Sequence, residues 1–209
     1  MLVLLRVADL VPQLGTLAGN CLEHFFHDFI PSGCKKYKLK CLRADSSNSS
    51  GAHMPRFPKT ECSTFTYVTL EEIGGFQWGV YYKPKHPNQA SFDSFMIIGS
   101  DLVIFQITFS RKHPIKIQGL AKLLARVRVY QIRNSFLVFV VPENHFQYFK
   151  REQSLLDVDG KLAKKLPDEV RSLRQYVLGI GEEEILESYR FQSLEVASAY
   201  NAKKSLESS

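Results

Sequence analysis

Two continuous apolar runs, LVIFQITF and NSFLVFVVP, limit this chain's fold more than any other feature. A strand with so little polar alternation needs cover on both faces, which is the condition of a parallel sheet enclosed by helices. Between them IKIQGLAKLLARVRVYQI repeats apolar residues at helical spacing, at Ile117, Leu120, Leu124 and Val127. Strand, helix and strand joined in this way predict a right-handed crossover unit, hence an α/β protein.

The first run is also the second limb of a hairpin, FDSFMIIGSDLVIFQITF. A two-residue type II′ loop at Gly99 and Ser100 pairs Ile98 with Asp101 and, counting back, sets Asp93 opposite Gln106. One face then carries Asp93, Gln106 and Thr108. A slip of one residue would send Asp93 to the other face, so this register decides what the three side chains can do together.

Upstream, Leu14, Leu17, Ala18, Cys21, Leu22, Phe25, Phe26 and Phe29 form an apolar stripe that predicts a helix from Asp9 to Ile30. KKYKLKCL alternates as a half-buried strand, residues 44–58 read as a mobile polar loop, and 63–70 and 76–84 are β-rich. Short helices are expected at 146–149 and 167–178, then a charged helix from 182 to about 204. The expected organisation is one compact domain over 1–180 with a helical extension over 181–209, a size sufficient for a proper core.

Charge narrows the partners. The net charge is +6 and the sequence pI about 9.1, which favours a polyanion such as nucleic acid. Arg111, Lys112, Lys116, Lys122, Arg126, Arg128 and Arg133 lie in a stretch, 102–142, that holds no acid. Read as one helix-borne patch, with Lys112, Lys116, Lys122 and Arg126 as phosphate contacts, they would bind nucleic acid without sequence preference and with strong dependence on salt. The competing reading is a solvated helix face. Cys21, Cys34, Cys41 and Cys62 lack CxxC spacing, so reduced thiols in an intracellular protein are expected. No run approaches the length of a membrane span, and a soluble chain with no membrane partner is expected.

A polar pair inside an apolar strand needs a reason. Asp93 with the Gln106 carbonyl could begin the oxygen shell of Mg2+ or Mn2+, with Glu23 of the first helix as a second carboxylate, a site suited to phosphodiester hydrolysis. The plainer reading is a structural hydrogen bond between Asp93 and Gln106. His113 is a candidate proton carrier or a local backbone cap. His27 sits one turn from Glu23, and Trp78, Tyr81 and Tyr82 are either stacking residues or core.

The order helix, strand, hairpin, helix, strand, with an acid entering the hairpin and Gln-x-Thr leaving it, resembles the PD-(D/E)XK nucleases of restriction-endonuclease-like fold. GNCLEHFFHDFIPSG, YYKPKHPNQASFDSF, LVIFQITFSRKHPIKIQGL, LVFVVPENHFQYFKREQ and LRQYVLGI, spanning 19–180, are similar to the nuclease-like C-terminal domains of Crinkler and RHS-type effectors. The resemblance implies an αβββαβ core, a mixed sheet flanked by helices, and a magnesium-dependent DNA endonuclease with Asp93, Gln106 and Glu23 at the metal. It further implies DNA rather than RNA as partner, a host nucleus reached after secretion as the place of work, and a P-loop NTPase as companion. Thr108 stands where the pattern has lysine, so Lys83, Lys85 or Lys112 would have to reach in. The sequence contains no GxxxxGK[ST], so any NTPase module is expected on another polypeptide or on a missing segment. The alternatives are an inactive module of the same fold that binds DNA or a host protein, and a scaffold docking through Ile185, Leu186 and Leu194.

Overall fold

A computed structural model of the chain describes residues 1–31, 39–42, 61–65, 75–84 and 91–186. The strands are β1 (Leu39–Cys41), β2 (Glu61–Phe65), β3 (Val80–Pro84), β4 (Ser94–Ile98), β5 (Asp101–Ile107), β6 (Ile115–Lys116), β7 (Asn134–Pro142), β8 (Leu155–Leu156) and β9 (Arg174–Ile180). The helices are α1 (Leu2–Leu10), α2 (Gly15–Phe29), α3 (Ile117–Val127), α4 (Glu143–Phe146) and α5 (Asp168–Arg171). Seven strands form one open mixed sheet in the order β1-β9-β7-β5-β4-β3-β2, while β6 and β8 pair separately.

Strand pairing follows from the connections. The tight Gly99–Ser100 turn, with Gly99 at φ +59°, makes β4 and β5 antiparallel, with Ile98 opposite Asp101 and Ser94 opposite Phe105. The helix between β5 and β7 makes that pair parallel, and β7 and β9 are parallel as well. β3 runs antiparallel to β4, and β2 parallel to β3.

Both faces of the sheet are covered, as the unalternated apolar runs require. On one face Leu22, Phe25, Phe26 and Phe29 of α2 and Leu5 and Ala8 of α1 pack on Tyr81, Met96, Val103, Phe105, Val138 and Leu178. On the other, Leu120, Leu123, Leu124 and Val127 of α3 pack on Phe95, Ile104, Leu137, Phe139 and Val177. Each large apolar side chain so buried contributes about 1.5–3 kcal/mol, which makes the two interfaces the main source of stability. Gly179 marks a close approach: a Cβ there would stand 3.2 Å from Phe146 Cδ2 and 3.5 Å from the Glu143 Cα.

Several expectations need correction. Helix begins at Leu2 rather than Asp9, and Val11 and the 3-10 turn Pro12–Leu14 separate α1 from α2, because Pro12 has no N–H with which to continue the first helix. The short helix expected at 146–149 lies at Glu143–Phe146, and the one expected at 167–178 is only α5, followed by strand β9. β9 is buried between β1 and β7, and a strand covered on both faces shows no period-two signal. Phe76 to Gly79 precede β3 rather than belonging to it. The stretch 182–186 is helical; the loop expected at 44–58, Lys85, and the remainder of the C-terminal helix including Leu194 lie outside the described residues. No helix among the described residues is long and apolar enough to cross a membrane.

Candidate functional site

The carboxyl ends of β3, β5, β7 and β9 and the start of β4 share one edge of the sheet, where the polar groups of the hairpin meet. Open α/β sheets present ligand sites along such an edge. Asp93 lies just before β4, and its backbone N–H bonds the Phe105 carbonyl at 2.8 Å, extending the ladder by one step. That step sets it beside Gln106, as the turn geometry requires. The Gln106 Nε2 donates to Asp93 Oδ2 at 2.7 Å and the Ile107 N–H donates to the same oxygen at 2.5 Å.

Asp93, Gln106 and Thr108 are all buried. Burial pushes the Asp93 carboxyl well above its usual range, the negative charge of Glu23 pushes it further, and the Ile107 N–H opposes both. Thr108 closes the other side: its Oγ1 accepts from the Ser110 N–H at 3.0 Å and lies 3.1 Å from His113 Nδ1. Burial lowers the His113 pKa from 6.5, which favours the neutral ring, and the direction of its bond with the Thr108 hydroxyl follows the tautomer. The His113 backbone N–H in turn donates to Gln153 Oε1 at 2.9 Å.

Glu23 reaches this site through its charge rather than by a hydrogen bond. It lies on α2, which covers the face carrying Tyr81 and Met96, whereas Asp93 and Gln106 alternate onto the α3 face. Its nearer partner is His27, with Nε2 at 3.5 Å. From there a buried line continues: His27 Nδ1 lies 2.8 Å from the Tyr81 hydroxyl, which donates to Ser94 Oγ at 2.6 Å. Lys83 reaches the same edge at the end of β3, but strand alternation from Tyr82 puts it on the α2 face, away from Gln106.

A hard cation needs several oxygens presented together. Here Asp93 Oδ2 is occupied by two N–H donors, and Gln106 turns its NH2 group toward the carboxyl. Among the described residues no group of three or more His, Cys, Asp and Glu side chains is placed to hold a metal ion. As arranged, the residues do not fit Mg2+ or Mn2+.

The basic stretch is not one patch. Gly119 N–H bonds Ser91 Oγ at 3.1 Å, which fixes the start of α3 beside Asp93. The helix then runs about 16 Å away from it, roughly twice the screening length in physiological salt. Arg111, Lys112 and Lys116 therefore stand at the site edge, while Lys122 points to solvent along the helix. Arg126, Arg128 and Arg133 stand toward the opposite edge, where Arg128 lies 3.6 Å from Glu169. Tyr81 and Tyr82 are core, and Trp78, 61% exposed, packs on Tyr130 at that opposite edge.

Two groups at the site edge escape sequence reasoning. His145 is buried with Nε2 at 2.5 Å from Asp9 Oδ1 and Nδ1 without a hydrogen-bond partner; Asn144 also bonds Asp9, and Arg111 lies 3.7 Å from it. This cluster ties the end of α1 to α4 across 136 residues of sequence, a separation no local pattern reveals. The other group is Tyr148, Lys150 and Arg151, whose signal is the nearness of aromatic and basic residues in HFQYFKR. No protein-family model matches this chain, and no curated protein and no solved structure matches it either.

Proposed function

We propose that this chain is a nucleic-acid-binding domain of restriction-endonuclease-like architecture, similar to the C-terminal domains of Crinkler and RHS-type effectors, in which the catalytic position has become a closed hydrogen-bonded network. The single observation that carries this reading is the Asp93–Gln106 pair at the sheet edge, with Thr108 and His113 beyond it. The chain order α2, β1, β2, β3, β4, β5, β6, α3, β7 contains the succession αβββαβ that the resemblance implies once β1, β2 and the two-residue β6 are set aside, and that partial agreement supports the reading. An acid and an amide meet where that architecture keeps its metal ligands, yet the amide donates to the carboxyl and a hydroxyl replaces the ammonium group. What remains at the edge is positive charge from Arg111, Lys112 and Lys116, which serves binding to phosphates. On this reading DNA is preferred to RNA, the place of work is a nucleus, and a P-loop NTPase acts from another chain or a missing segment.

A second reading keeps Mg2+- or Mn2+-dependent cleavage, favoured by the charge of Glu23 acting on Asp93. A cation beside Asp93 would offset the repulsion that the Glu23 charge exerts on its ionised carboxyl. The two readings separate in one assay. Purified protein is incubated with plasmid and Mg2+ or Mn2+, with EDTA and with the Asp93→Asn variant, and binding to a labelled duplex is followed across a salt series. Nucleic-acid binding is expected, weakening with a slope of about −0.9 per phosphate contacted, with no cutting above the EDTA control. Metal-dependent products absent from Asp93→Asn would establish the second reading, and no binding even at low salt would overturn both.

A further inference from the structure

We propose that the segment between α4 and β8 forms a preformed groove for a single-stranded stretch of nucleic acid, with Tyr148 as the platform on which an unpaired base stacks; the proposal rests on the nucleic-acid reading above. The groove encloses about 480 Å³ and is lined by Lys112, Tyr148, Lys150, Arg151, Gln153 and Ser154. It opens directly from the candidate site, since Gln153 receives the His113 N–H.

Three features make it a binding surface rather than a solvated turn. Its walls are fixed: Phe149 is fully buried against Phe139 at 5.6 Å, and Gln153 is held to the sheet by two hydrogen bonds with Gln175, of 2.6 and 3.1 Å. Its charge is uncompensated: Lys112, Lys150 and Arg151 have no ion-pair partner among the described residues, and Glu152 is the one acid in the lining. Its aromatic ring is presented and braced: Tyr148 is 43% exposed, with the Arg111 guanidinium 4.3 Å over the ring, and Asp9 anchors that arginine in turn.

Cations beside an exposed, immobilised ring are the elements that single-strand binders combine, the cations following the phosphates and the ring taking a base face. In a duplex the base faces are already stacked, so only the cations can engage. The groove therefore distinguishes strands by access to Tyr148.

The test is fluorescence anisotropy with labelled dT15, rU15 and a 15-base-pair duplex, using the full chain and the variants Tyr148→Ala, Tyr148→Phe, Lys150→Glu/Arg151→Glu and, at the opposite edge, Trp78→Ala. Thermal melting of each variant verifies folding, and Tyr148→Phe keeps the ring should Tyr148→Ala lose stability. The expected result is that Tyr148→Ala weakens binding of the single strands about tenfold and of the duplex little. Tyr148→Phe and Trp78→Ala should match the wild type, while the double charge reversal weakens all three ligands. The stronger of dT15 and rU15 identifies the sugar the groove accepts. Wild-type binding that survives both Tyr148→Ala and the charge reversal would overturn the groove while leaving the nucleic-acid reading intact. No binding by the wild type would overturn that reading too.

Discussion

Replacing Asp93 separates a carboxyl kept for its charge from one kept for its shape. In Asp93→Ala the Gln106 amide and the Ile107 N–H lose the oxygen that both donate to, and each buried donor left unpaired costs about 1–3 kcal/mol. The sum is about 4 kcal/mol, or a fall in Tm of about 12 °C for a domain of this size. Asp93→Asn keeps an oxygen in place for both donors and removes the charge that burial disfavours, so its Tm should equal or exceed that of the wild type near neutral pH. The pH dependence carries the sign. Because the folded protein raises the Asp93 pKa above 3.8, the native state holds the proton more tightly than the unfolded chain. The resulting stabilisation is complete below that ordinary value and is lost as pH rises through the folded-state value. Melting curves of wild type and Asp93→Asn from about pH 4 to about pH 8 should therefore diverge upward with pH in favour of the variant. An Asp93→Asn protein as unstable as Asp93→Ala would refute the reasoning, because it would mean that the negative charge itself holds the two donors.

Three further outcomes follow from the same network and its surroundings. Thr108→Val removes the acceptor of the Ser110 N–H and the partner of His113 Nδ1, costing about 1–3 kcal/mol; the His113 ring nitrogens should shift in an NMR spectrum, and unchanged nitrogen shifts would contradict the contact. His113 itself should titrate below 6.5 in that spectrum, and since its folded pKa is lowered, its share of stability is lost as pH falls through 6.5 toward the folded value. Tyr81→Phe breaks the buried line between His27 and Ser94, which chemical denaturation should register as a loss of about 1–3 kcal/mol.

How far the sequence could be read depended on whether a signal was local. The hairpin register came from two residues, Gly99 and Ser100, since a tight turn fixes every pair behind it, and it brought Asp93 to Gln106. The crossover from β5 through α3 to β7 was equally plain, because unbroken apolar runs around a helical period have few arrangements. The same absence of alternation hid β9, whose residues from Gln175 to Ile180 are all buried. Charge was misleading for a different reason: Arg111 and Arg133 are close in sequence, but α3 carries them to opposite edges of the sheet, farther apart than salt lets them act together.

The chemistry of the pair was the least legible part. Spacing could bring an acid and an amide together, but whether the amide offers its oxygen or its nitrogen depends on what else the acid accepts. The Ile107 N–H, arriving at the same oxygen, makes Oδ2 an acceptor of two donors, and a site filled by donors is closed to a cation until one of them turns away. Reopening it requires the Gln106 amide to rotate, leaving Asp93 with a single N–H. That step leaves the Asp93 carboxyl with one donor fewer, and a phosphate drawn by Arg111, Lys112 and Lys116 would add negative charge beside it rather than offset the loss. Gln106→Glu replaces the donating amide by a carboxyl that can donate to Asp93 only while protonated, so its melting temperature should fall more steeply with rising pH than that of the wild type, and an equal slope would show that the Gln106 amide does not hold the pair.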